Sequence, residues 1–222
     1  MYQTAILNVE GKMPIAGQDR LYEESGVEDN PVINRWLDED GVPYAENPLM
    51  DTTAEHFCLK EMDDILDKVI MLMVLALKCE GEEQSKLDFY IREYELSGKF
   101  TPDEEEYLQL DEPDKEESQD YQLCTESMWV LLWVLGLIEE IGKIDGVVSE
   151  TIAIGRVITR TPDLLRSEIN LRTLEEVLVE LEVYGRKVWD IEVAGDMYPD
   201  DVAIQDILIE RYSALRWAIK PV

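Results

Sequence analysis

The chain has 222 residues, 45% of them hydrophobic, and its 50 acidic against 20 basic side chains leave a formal net charge of −30. The hydrophobic fraction excludes wholesale disorder, and the negative charge argues against binding to nucleic acid or to an anionic membrane surface. Three cysteines without a CxxC pair indicate neither a disulfide framework nor a zinc site, which favours a reducing, cytoplasmic compartment.

The acidic excess is regional. Residues 80–120 hold 16 acidic and 4 basic side chains, a net charge of −12, whereas residues 151–222 hold 13 and 9, a net charge of −4. A concentrated negative field attracts cationic surfaces over roughly the ~8 Å Debye length of physiological salt. The distribution therefore predicts a basic partner and an association that weakens as salt is added.

Residues 1–26 are predicted to form a short irregular N-terminal arm, since glycine and proline recur along it, and residues 27–222 a single helical domain. A short helix over residues 31–41 follows, with Asn30 as its cap. From Thr53 to Glu80, apolar residues at three- and four-residue steps predict a long helix. Its last part is apolar all round, which is typical of a helix in the middle of a bundle.

The boundaries of the next helices are indicated by residues that start or stop a helix. Gly81 ends the long helix, and residues 82–96 predict another helix with one buried face. Thr101 and Glu104 have the spacing of a capping box, which predicts a further helix start. The polar stretch 110–121 then predicts a solvated loop.

A second core helix is predicted from Ser118 to Ile141, where the chain is almost entirely apolar. Further helix starts, each with a capping side chain or a proline, lie at Ser149, Thr161, Thr173 and Pro199. The last of these helices carries a buried stripe that continues to Ile219. Neither apolar core run reaches the ~20 residues of a membrane span. We predict an all-α fold, a single bundle-like domain of about seven or eight helices.

Four segments, in this order, carry a recognisable pattern: INRWLDEDGVPYAENPLM, ESMWVLLWVLGLIEEIG, VYGRKVWD and ERYSALRWAI. They resemble the mainly bacterial domain-of-unknown-function family 4272, from about residue 31 to the end. The matching positions are Trp129, Leu132, Trp133, Gly136, Leu137, Arg186, Trp189, Glu210, Arg211, Ala214, Leu215 and Trp217. The chain has Val188 and Tyr212 where the family pattern carries histidines. The resemblance implies an all-α fold and brings no established activity with it.

Two arginines in the matching segments, Arg186 and Arg211, lie on otherwise apolar helices. Each needs a carboxylate partner, for which Glu182 and Glu210 are available. The structural interpretation is an internal ion pair that sets the register of the helices. The functional interpretation is an anion site in a polar pocket. That pocket would be lined by Arg186, Trp189, Glu210, Arg211 and Trp217.

Carboxylates at helical spacing on the helix from Thr53 include Glu61 and Asp64, which could hold Mg²⁺. A solvated acidic helix face produces the same spacing. The metal site predicts, as the alternative function, a magnesium-dependent all-α enzyme acting on nucleotides or phosphoesters. His56 and Cys58 are expected on different faces of one helix, so they do not form a nucleophile pair. Without a P-loop, GxSxG, GxGxxG or zinc motif, we predict no cofactor and no catalytic residue.

The leading prediction is a non-enzymatic acidic interaction protein that binds a basic protein. A bacterial immunity protein that covers the cationic cleft of a nuclease or nucleotide-modifying toxin would fit this charge, this size and this lack of catalytic groups. The partner would contact the acidic stretch at Glu104, Glu105, Glu106, Asp111, Glu112, Asp114, Glu116 and Glu117.

Overall fold

The computed structural model of the protein describes residues 54–142, 147–194 and 202–222, and side chains throughout these ranges except at 190–194 and 202–203. The described residues form eight α-helices and one small antiparallel sheet, which confirms the all-α prediction. The arm predicted over 1–26 and the helix predicted over 31–41 lie outside the described residues.

The elements follow one another along the chain as β1 (Phe57–Leu59), α1 (Met62–Cys79), α2 (Gln84–Glu93), α3 (Pro102–Gln109), α4 (Cys124–Val134), α5 (Glu150–Ile158), α6 (Pro162–Glu168), α7 (Leu174–Ala194), α8 (Val202–Ala218) and β2 (Ile219–Pro221). Short 3-10 helices cover Ala54–His56 and Gln119–Tyr121.

Helix α4 lies at the centre of the bundle, where it packs against α1, α5 and α8, while α7 also packs against α8. Every residue of α4 is buried except the half-buried Trp129. All residues from 69 to 76 of α1 are buried as well. The two runs that are apolar all round are therefore the two central helices, as their composition predicts.

The start of the long helix was predicted wrongly. Phe57 to Leu59 form β1 and pair antiparallel with Ile219 to Pro221, so α1 begins only at Met62 and α8 ends at Ala218. Phe57 lies at helical spacing from the next apolar residues, which is why a helix was predicted here. A buried apolar residue fits a strand as well as a helix, so burial alone does not distinguish the two. Pairing with a strand more than 150 residues away in sequence decides the matter.

The helix starts predicted at Thr101, Ser149, Thr161 and Thr173 are confirmed, whereas the start predicted at Pro199 lies outside the described residues. The Thr101 hydroxyl accepts a hydrogen bond from the Glu104 N–H at 3.2 Å, and the Glu104 carboxylate accepts one from the Thr101 N–H at 2.8 Å. Thr173 and Glu176 make the same two bonds at 3.2 and 2.8 Å. Both boxes satisfy backbone donors that the first turn of a helix leaves unpaired.

Helix α4 is shorter than the predicted 118–141, and Gly136 ends it with a positive φ of 69°. The Gly136 N–H donates to the Trp133 carbonyl at 2.8 Å, and the Leu137 N–H donates to the Leu132 carbonyl at 2.9 Å. This pair of bonds is the Schellman arrangement, in which glycine supplies the left-handed residue at lowest cost.

A second constraint acts on Gly136. The segment before α7 crosses the end of α4, where the Asn170 N–H donates to the Leu135 carbonyl at 3.0 Å and the Arg172 N–H donates to the Val134 carbonyl at 2.9 Å. This crossing satisfies the last carbonyls of α4 and brings the Asn170 carbonyl oxygen to 2.0 Å from the place where a Cβ on Gly136 would lie. The close approach of two backbones therefore requires glycine here.

Candidate functional site

The acidic stretch lies on α3 and on the loop that follows it. Seven of its eight predicted contact residues have exposed side chains, namely Glu105, Glu106, Asp111, Glu112, Asp114, Glu116 and Glu117. We call these seven residues the acidic surface. Lys115 is the single basic residue between positions 101 and 123, so the charge is not balanced within the segment.

The eighth residue, Glu104, is placed differently. Its side chain is buried, and its carboxylate accepts from the Lys68 Nζ on α1 at 2.9 Å as well as from the Thr101 N–H. Burial acts to raise the pKa of Glu104, but the hydrogen bonds from Thr101 and Lys68 outweigh it and hold the pKa below its ordinary value. Glu104 thus fixes α3 against α1 and is not part of the acidic surface.

Replacing Glu104 with glutamine is expected to cost about 1–3 kcal/mol of unfolding free energy at neutral pH, since a charged hydrogen bond and a partly buried ion pair are both lost. Because the folded pKa is lowered, the contribution is present above the unfolded value near ~4.3 and disappears as pH falls through the folded pKa. Urea unfolding at several pH values measures it. Glu105→Gln, one position along on the exposed side, is the matched control, and an equal loss in both variants would contradict this role for Glu104.

The loop that carries most of the acidic surface is held by its own backbone contacts. The Asp114 carboxylate accepts from the Glu116 and Glu117 N–H groups at 2.8 and 3.0 Å, and the Glu117 carboxylate accepts from the Asp114 N–H at 2.8 Å. Beneath the loop, the rings of Tyr107 and Tyr121 stack with centroids 4.1 Å apart. The carboxylates of the acidic surface are therefore presented on a defined backbone.

The second polar cluster is buried between α4 and α8. The Arg211 Nε lies 2.8 Å from the Glu126 Oε2, and these side chains are 1% and 0% exposed. The Tyr184 hydroxyl accepts from the Arg211 guanidinium at 3.2 Å. The partners predicted from the sequence, Glu182 and Glu210, do not include the carboxylate that pairs with Arg211, which is Glu126. Glu126 could have been found from the sequence, because it is a single acidic residue at the start of an apolar run. A charge that is buried with such a run needs a partner of opposite charge.

This ion pair also fixes the connection between α4 and α5. The second Glu126 carboxylate oxygen accepts from the Val148 N–H, and the Arg211 Nη1 donates to the Gly142 carbonyl at 3.5 Å. The two charges therefore contact the connection at Gly142 and at Val148. Their buried hydrogen-bonding groups are used for structure, which supports the ion-pair interpretation of Arg211.

Trp129 and Trp133, two tryptophans of the family pattern, help to hold the same connection between α4 and α5, Trp129 directly and Trp133 through Arg172. The Trp129 Nε1 donates to the Ile141 carbonyl at 2.9 Å. The Trp133 ring lies beneath the Arg172 guanidinium at 5.2 Å, and the same guanidinium donates to the Glu139 carbonyl at 2.8 Å. Both rings therefore combine core packing with one polar contact that orients the chain after α4.

Glu210 lies beside this ion pair and takes a different partner. Its Oε2 accepts from the Ser127 hydroxyl at 2.8 Å. Burial raises the pKa of Glu210, and the neighbouring carboxylates of Asp206 and Glu126 raise it further. We call Glu126, Ser127, Glu210 and Arg211 the α4–α8 junction.

The residues of the predicted polar pocket have different contact partners. Arg186 pairs with Glu182 one turn away at 2.7 Å, as expected, and both are buried. Trp217 lies beneath the Lys60 Nζ, which is 4.2 Å from the ring centroid. Trp189 is half-buried near the end of α7. Glu210 and Arg211 form hydrogen bonds with side chains of α4.

Glu61 and Asp64, the predicted metal ligands, are both exposed at the start of α1, and Glu61 lies 3.6 Å from the Lys220 Nζ. Across 54–142, 147–189 and 204–222, whose side chains the structure describes, no three histidine, cysteine, aspartate or glutamate side chains are grouped so that they could hold a metal ion. Within the same ranges, no helix combines the length and the apolar character needed to cross a membrane.

Comparison with known proteins agrees with the resemblance seen in the sequence. The model of one family, described as Domain of unknown function (DUF4272), matches residues 32–221 and so includes all eight helices. No curated protein and no solved structure matches the chain. Since the family model covers most of its length, the chain belongs to the DUF4272 family.

Proposed function

We propose that the protein is a non-enzymatic binding protein whose acidic surface docks a basic protein. The observation that carries this proposal is the exposure of seven carboxylates on α3 and its following loop. In the described part of the chain, none of the seven is paired with a basic side chain within 4.0 Å. Their charge is therefore available to a partner.

The order of the loop supports the same proposal. The hydrogen bonds among Asp114, Glu116 and Glu117 hold like charges close together before any partner arrives. A preorganised charged surface loses less conformational entropy on binding, and electrostatic attraction accelerates encounter with a cationic surface. The expected signature is fast association that slows steeply as salt screens the charges.

The partner class that fits is a protein with a cationic cleft, and a toxin that acts on nucleic acid or nucleotides is the specific case we propose. In that role the acidic surface would occupy the cleft in place of the anionic substrate. Cys58, Cys79 and Cys124 are free thiols, which supports action in a reducing cytoplasm.

A pair of variants tests the proposal. The first neutralises the acidic surface through Glu105→Gln, Glu106→Gln, Glu112→Gln and Glu116→Gln. The matched control neutralises four carboxylates that are equally exposed elsewhere, through Glu139→Gln, Glu140→Gln, Asp163→Asn and Glu175→Gln. Each immobilised protein is exposed to native lysate, and the captured proteins are compared by quantitative mass spectrometry.

The proposal predicts a basic protein that is captured by the wild type and by the control but lost from the acidic-surface variant. With that protein purified, neutralisation should lower the association rate constant at least about tenfold at low salt and less at high salt. Equal capture by both variants, or the absence of any basic protein, would overturn it.

A further inference from the structure

The α4–α8 junction holds more negative than positive charge. Adjacent residues of α4, Glu126 and Ser127, contact adjacent residues of α8, Arg211 and Glu210. Arg211 neutralises Glu126, whereas Glu210 is met by a neutral hydroxyl. In the described part of the chain, no basic side chain lies within 4.0 Å of the Glu210 carboxylate.

The other groups near Glu210 do not balance it. Asp206 lies one turn before it on α8, and Cys124 interacts with it from α4. From α1, Lys68 attracts Glu210 at longer range, but its Nζ is bound to Glu104 of α3. The ionised Glu210 carboxylate therefore bears the cost of partial burial with one neutral hydrogen bond and a shared lysine.

We propose that the α4–α8 junction is a proton-binding site and that uptake of one proton at Glu210 strengthens the packing of α8 against α4. The neutral carboxyl group avoids the desolvation cost, and it ends the repulsion from Glu126 and Asp206. This device is independent of the acidic surface, which lies on α3 and its loop.

The direction of the effect follows from linkage. Glu210 has a folded pKa raised above the unfolded value of about 4.3. Its contribution is therefore complete below the unfolded pKa and is lost as pH rises through the folded pKa. Acidification from about pH 8 to the unfolded pKa of about 4.3 should stabilise the protein through this group, whereas it destabilises through a carboxylate that is paired in the fold.

Thermal unfolding of the wild type, Glu210→Gln and Ser127→Ala over this pH range tests the proposal. Glu210→Gln should raise Tm by about 3 °C at the alkaline end and leave it unchanged at the acidic end, which flattens the profile. Ser127→Ala removes the donor to the ionised form, so its profile should steepen at the alkaline end. Glu139→Gln, on an exposed carboxylate, should reproduce the wild-type profile.

A direct measurement does not depend on the stability of a variant. Carboxyl-detected ¹³C NMR of the wild-type chain, labelled at glutamate, should show a resonance that titrates above the ordinary range and is missing from Glu210→Gln. If all glutamates titrate in the ordinary range, or if Glu210→Gln lowers Tm equally at every pH, the proposal is wrong.

Discussion

Gly136→Ala is expected to cost at least about 3 kcal/mol of unfolding free energy, which for a marginally stable domain means little soluble protein. The φ of 69° already disfavours any residue with a Cβ, and here that Cβ would lie 2.0 Å from the Asn170 carbonyl oxygen. Relief requires the segment before α7 to move away from α4, which breaks its hydrogen bonds to the last carbonyls of that helix. Urea unfolding followed by circular dichroism measures the loss.

Two glycines serve as controls because each isolates one part of the argument. Gly81 has a φ of 77° with open space around it, so Gly81→Ala should show the backbone cost alone, about 1–2 kcal/mol. Gly155 lies in α5 with nothing within 4 Å, so Gly155→Ala should stabilise by about 0.5–1 kcal/mol. A loss for Gly136→Ala no greater than that for Gly81→Ala would refute the role assigned to the backbone contact.

Glu126→Gln is expected to cost about 3–5 kcal/mol, because it leaves the buried Arg211 guanidinium without a counter-charge. Both side chains are inaccessible, and their hydrogen bonds to Val148 and Gly142 hold the connection between α4 and α5. The loss should appear in the equilibrium unfolding of the whole domain, since α4 and α8 form its centre. Denaturant titration by tryptophan fluorescence is suitable, because Trp129 and Trp133 lie on α4.

Two further variants serve as controls for Glu126→Gln, one at an exposed ion pair and one that replaces both buried charges. Asp63 lies 3.4 Å from Arg166 with both side chains in solvent, so Asp63→Asn should change stability by less than about 1 kcal/mol. Replacing both buried charges, as Glu126→Leu with Arg211→Met, should recover much of the loss, since an apolar pair has no desolvation cost. A change below about 1 kcal/mol for Glu126→Gln would show that the ion pair is not required.

Local signals in the sequence predicted most of the helices correctly. The capping boxes at Thr101 and Thr173 were identified because each forms between residues three positions apart. The all-round apolar runs identified α1 and α4 as the central helices for a similar reason, since a helix without a polar face must be buried on every side. The exposure of most of the acidic surface also follows from composition, because so many charges cannot be buried together.

Contacts between distant residues were beyond sequence reasoning. Glu126 and Arg211 are 85 positions apart, and several acids could have served as the arginine's partner. Glu104 resembles its neighbours Glu105 and Glu106 in sequence, yet it alone is buried against Lys68. The early end of α4 depends on the segment that crosses it at Asn170, and nothing in the apolar run indicates that crossing.

The amino-acid sequence by itself determined the all-α class, the helix starts that carry a capping box, the family and the regional negative charge. These properties depend on periodicity, on hydrogen bonds between near neighbours and on composition, all of which are local or additive. Only the tertiary structure decided which carboxylates face solvent, which one neutralises Arg211, and that the partly buried Glu210 lies beside a neutral serine. The reason is physical, since the energy of a charge depends on the groups and solvent around it, and those are set by how distant helices pack.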